Sequence, residues 1–157
     1  MARDSPDGRL TIPGPVEPPS HRRDLFPVDD VGRALTRRPG TGRDEEALAL
    51  TETAERSAAD DDVDAQVHWR CVRALILARR GTFDEAEALV RKALDLAIQT
   101  EAPALRASTL ADLATVLVHA QRPDEARNAL VDAIAVYSAK GDLASLDRAE
   151  HFLLTIQ

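Results

Sequence analysis

The sequence predicts an all-α fold in which antiparallel helix pairs stack side by side. Three observations predict it: long Ala/Leu/Val segments with helical spacing from Asp44 onward, no strand-like alternation, and self-similarity at an offset of 40 positions. Ala74, Ala86 and Ala93 are matched by Ala114, Ala126 and Ala133, Leu77 by Leu117, and Asp84-Glu85-Ala86 by Asp124-Glu125-Ala126. With an offset of 39, Glu46, Ala47, Ala49, Leu50, Ala54 and Ala58 match Glu85, Ala86, Ala88, Leu89, Ala93 and Ala97. Alanine recurs for a physical reason. Where two antiparallel helices cross closely, a larger side chain pushes the axes apart and loses the packing between them. With 3% aromatic residues, the core depends on such crossings.

Residues 1–42 read differently, as a disordered leader rich in Pro, Gly and Arg. They hold seven of the nine prolines and five of the seven glycines, a composition that sustains neither helix nor strand for long. One weak helical turn fits Val31 to Arg37, and Pro15 with Pro18 forms a PxxP spacing of the kind that arises by chance in such stretches. Gly40-Thr41-Gly42 has half the form of a dinucleotide loop, but Glu45 stands at the third glycine position and no strand precedes it. It reads as a helix-start turn.

The repeat domain then spans 43–157. A half repeat covers 43–59, with a helix from Asp44 to Ala58. The first full repeat covers 62–100. The acidic run Asp60, Asp61, Asp62 and Asp64 opens its first helix, favourably placed at the positive helix end, and Gly81 after Arg80 suits the left-handed stop. Thr82 and Glu85 have the spacing of a capping box for its second helix, which runs to about Thr100. The second repeat covers 103–140, with helices opened by Pro103 and by Pro123, where Asp124 and Glu125 fall in the first turn. A closing helix in 142–157, capped by Asp142, makes six.

The stretch from Ala74 to Leu96, with Leu77, Gly81, Phe83, Ala86 and Ala93, resembles one tetratricopeptide repeat, and Ala114 to Val136 resembles a second. The resemblance implies a short right-handed solenoid and a non-catalytic protein-interaction module. Departures are the placement of Trp69 one position early, the missing terminal proline and the 40-residue unit. That longer unit, and the wording of Asp61 to Gly81, are similar to the tails of large bacterial ATP-binding transcriptional regulators and cyclase-linked signalling proteins. In the family, the first helix of each unit lines a concave groove. Matching positions place His68, Cys71, Leu75, Ala78 and Arg79 there, followed by Ser108, Ala111, Thr115, Val118 and His119. A groove half apolar and half polar suits an extended peptide.

Charge narrows the partners. Residues 1–43 carry 8 Arg against 6 Asp or Glu, whereas 44–157 carry 12 Lys or Arg against 21 Asp or Glu. So acidic a body repels phosphate backbones, which argues against nucleic acid and for a basic protein surface. On it, Arg70, Arg73 and Arg80 form a basic stripe at helical spacing, read as a solvated face or as the site of an acidic peptide. The lone Cys71 allows no internal disulfide and reads as a small buried hydrophobe in a cytoplasmic protein. His21, His68, His119 and His151 show no ligand spacing, so no metal, cofactor or catalytic role is expected. No apolar run is long enough for a membrane span.

The half repeat raises a structural question, since its missing first helix should leave an apolar face open. Two readings remain: the chain is the tail of a longer regulator, or a second copy covers 44–58 in a homodimer.

Overall fold

The computed structural model describes residues 42–156, in which there are six helices and no strand. They are α1 (Gly42–Ser57), α2 (Val63–Arg79), α3 (Phe83–Ile98), α4 (Pro103–His119), α5 (Pro123–Lys140) and α6 (Leu143–Thr155). The Pro/Gly-rich leader, including Pro15, Pro18, His21 and the expected turn at Val31 to Arg37, lies outside the described residues.

Each helix packs on the next in sequence, and α2 also packs directly on α4. The pairs are therefore α2 with α3 and α4 with α5, flanked by α1 at one end and α6 at the other. The matched alanines make these crossings possible: Ala74, Ala86, Ala93, Ala114, Ala126 and Ala133 are all 0% exposed. Val67, Val90, Val116, Leu117 and Leu130 fill the space between them.

Three helix ends share one turn. The backbone N–H of Gly81 donates to the Ala78 carbonyl at 3.1 Å and that of Thr82 to Leu77 at 3.0 Å; Gln121 and Arg122 repeat the pair, as do Gly141 and Asp142. This chain reversal needs a left-handed residue, and Gly81 (φ 84°), Gln121 (φ 59°) and Gly141 (φ 70°) supply it. Gln121 takes the register position of Gly81 without being glycine.

Two expectations need correction. Thr82 stands at the N-cap of α3, but its side chain makes no cap hydrogen bond. Thr82 and Glu85 are both exposed, so water is at hand for the donors that a capping box would have satisfied. Asp142 does cap, accepting from the Ser145 N–H at 3.1 Å, and Asp62 accepts likewise from Ala65. Nor does the half repeat leave an apolar face open: the exposed side of α1 carries Glu45, Glu46, Glu52, Glu55 and Arg56, with Leu50 its exposed large apolar side chain. Among the described residues the outer side of α1 is thus polar, as a solenoid edge requires.

Candidate functional site

Docking of α1 on α2 uses charge where the pairs use alanine. Arg79 Nη2 meets Asp44 Oδ1 at 2.7 Å, Arg80 meets Glu45 at 2.8 Å, and Arg73 meets Glu55 at 2.8 Å while its Nε donates to Thr51 Oγ1 at 3.0 Å. The Arg70 and Arg73 guanidiniums lie 4.2 and 4.5 Å from the ring centre of the buried Trp69, and Arg70 Nη1 donates to the Gln66 carbonyl at 2.6 Å. Of the basic stripe, Arg70 and Arg73 are partly buried and Arg80 is exposed, and each arginine has a partner in the fold. Carboxylates of α1 hold Arg73 and Arg80, and Trp69 with Gln66 holds Arg70.

The face shared by α2 and α4 divides the ten predicted groove residues. Cys71, Leu75, Ala78 and Thr115 are buried, because two helices in direct contact cover the side chains at their seam. His68 is exposed, and Arg79, Ser108, Ala111, Val118 and His119 are partly exposed. Ser108, Ala111 and Val118 share one face of α4, since helical residues three, seven and ten apart align.

Electrostatics differ along this face. At its start, the His68 ring lies 3.9 Å from the Asp64 carboxylate, and its Nδ1 contacts the Asp64 carbonyl at 2.7 Å. Deeper in, burial raises the pKa of Asp112 of α4 to about 6, with the Cys71 thiol and then His68 opposing the rise. Burial also pushes the Cys71 thiol well above its ordinary value, with the Asp112 charge adding to the shift. A buried thiol of that kind is inert. At the far end, burial and then Arg79 lower the His119 pKa, and His119 Nε2 is buried without a hydrogen-bond partner. Among the described residues no group of three or more His, Cys, Asp or Glu side chains could hold a metal ion, and no helix is long and apolar enough to cross a membrane.

With this arrangement in view, residues 64–139, spanning α2 to α5, match a family model described as the tetratricopeptide repeat. The fold is a tetratricopeptide-type helical repeat. No curated protein and no solved structure matches the chain. Tetratricopeptide repeats generally mediate protein–protein interaction, bind proteins or peptides and are typically non-catalytic. Asp112 is the one feature of the face that the spacing argument passed over, although a signal was present. At offsets of 40 it stands where Val72 and Phe152 stand, a carboxylate in an apolar register.

Proposed function

We propose that the face of α2 and α4 is a peptide-binding groove through which this protein engages another protein. One observation carries the reading: the first helices of two tetratricopeptide units pack side by side and leave His68, Ser108, Ala111 and Val118 accessible. A row of small and polar side chains admits an extended backbone and offers it hydrogen bonds. Because the outer side of α1 is charged, we place the partner at the groove rather than in a homodimer through residues 44–58.

The test is a pull-down from cell lysate with the full chain and two variants. Ala111→Arg fills the groove with a long side chain, whereas Ala88→Arg alters exposed surface on α3. Proteins retained by the wild type and by Ala88→Arg, but lost with Ala111→Arg, support the groove. Equal retention by all three refutes it.

The 40-residue unit supports a narrower version, in which the partner belongs to bacterial regulation or signalling in the cytoplasm. In that version the module couples to an ATP-binding, cyclase or DNA-binding part, either as a separate protein or as the tail of one. In-frame coding sequence for such a part upstream of Met1 would favour the tail.

A further inference from the structure

Two positions of the repeat break its apolar register with a charge. Stepping by 40 residues, Arg73 stands where Leu113 and Leu153 stand, and Asp112 where Val72 and Phe152 stand. The structure treats the two differently. Arg73 has an ion-pair partner within the fold: Glu55 pairs with it, Thr51 accepts its Nε–H and Trp69 lies under its guanidinium, while its Nη2 is buried without a hydrogen-bond partner.

Asp112 has no such counterpart. None of the ion pairs among the described residues includes it. The groups that act on it electrostatically are the Cys71 thiol and the exposed His68, and its own charge reaches Tyr137 of α5. An ionised carboxyl drawn partly out of water without a cation destabilises the fold, whereas valine or phenylalanine at the same register would stabilise it. The residue as a whole is nonetheless partly exposed, on one of the two helices that form the groove. Beside it, Asp64 places a second carboxylate 3.9 Å from His68. What the fold leaves uncompensated, a cationic ligand group arriving along the groove would complete.

We propose that Asp112 is the specificity-determining residue of this groove and that the ligand is an extended basic peptide, one lysine or arginine of which rests on the Asp112 carboxylate. The proposal rests on the groove reading above and adds the chemistry of the partner. It also agrees with the acidic balance of residues 44–157, which draws basic segments toward the body over a distance of about 8 Å at physiological salt.

The experiment is selection from a phage-displayed random dodecapeptide library on the full chain, on Asp112→Asn, on Asp112→Glu and on Ala111→Arg, each shown by circular dichroism to be folded. Wild type and Asp112→Glu are expected to enrich lysine or arginine at one position of the recovered peptides. A synthetic peptide from that set should bind wild type about tenfold more tightly than its norleucine analogue, and Asp112→Asn should abolish the difference. Peptides blocked by Ala111→Arg but recovered without cation enrichment, or with an enrichment that survives Asp112→Asn, overturn the role of Asp112 and leave the groove standing. Failure to recover peptides, or recovery indifferent to Ala111→Arg, removes the groove and this proposal with it.

Discussion

Asp62, Ala102 and Asp142 hold the same place in the 40-residue register, each as the N-cap of a first helix, yet only the two aspartates bond to a helix N–H, each at 3.1 Å. Ala102→Asp should therefore supply the missing acceptor and raise stability by about 1 kcal/mol. The expected readout is a melt higher by about 4 °C; an unchanged or lower melt would show that the loop before α4 cannot orient the carboxylate. Gln121 presents the same logic in the backbone, since it sits at φ 59° where its counterparts are glycines. Gln121→Gly should relieve about 0.5–1 kcal/mol of left-handed strain, measurable as a shift in the urea midpoint. Asp112 adds a pH signature. Its carboxyl titrates near 3.8 in the unfolded chain and near 6 in the fold, chiefly because burial disfavours the charge. Between those values the folded chain holds more protons than the unfolded one, so the contribution is fully present below about pH 4 and is lost as pH rises through 6. Asp112→Asn should thus exceed the wild type in stability at pH 7.5 by about 2 kcal/mol. The gap should close toward pH 4.5, and a gap constant with pH would contradict the buried-carboxyl assignment.

Among elements, α2 joins the two kinds of packing in this protein. Toward α3 and α4 it presents alanines that admit close crossings, and toward α1 it presents arginines that the carboxylates of α1 receive. The first kind was legible in the sequence, because a methyl-sized requirement recurs at every crossing and leaves a periodic trace. The second was not, because its pairs join residues 18 to 35 positions apart, as in Arg73–Glu55 and Arg79–Asp44, and helical spacing on α2 alone makes the arginines look free. For the same reason the groove positions include Thr115, which lies under a facing helix, whereas Ser108 and Ala111 are partly exposed and Cys71 is the small buried hydrophobe its setting suggested. Arg73→Glu should destabilise the fold. It sets two carboxylates against each other at a side chain only 16% exposed and removes a cation from the face of Trp69. A loss of about 2 kcal/mol or more is expected in chemical denaturation, and adding Glu55→Arg should restore part of it. A melt untouched by Arg73→Glu would mean that the seam contributes nothing.

At the scale of the whole helical array, cohesion among the described residues is local: helices pack on sequence neighbours, with the α2–α4 contact as the bridge between pairs. Stability in such an array follows from how much each element buries against its neighbours. Nine residues of α4 are buried, from Leu105 to Leu117, against Ala149 alone in α6 and, among the described side chains of α1, only the polar Asp44 and Thr51. The terminal helices therefore have little apolar burial to oppose their opening, and α6 in addition exposes Leu143 and Leu154 at 73% and 83%. Opening either end leaves the α2–α5 packing in place, so it need not await global unfolding. Native-state hydrogen exchange should accordingly show the slowest amides in α4 and the helices packed on it, with opening free energies in α1 and α6 lower by about 2 kcal/mol or more. Uniform protection from Gly42 to Thr155 would instead mean that the charged seam at α1 and the short contact of α6 couple the ends to the centre as one cooperative unit. A groove floored by α2 and α4 would then share its stability with the whole array, and Arg73→Glu would weaken peptide binding and the fold in equal measure.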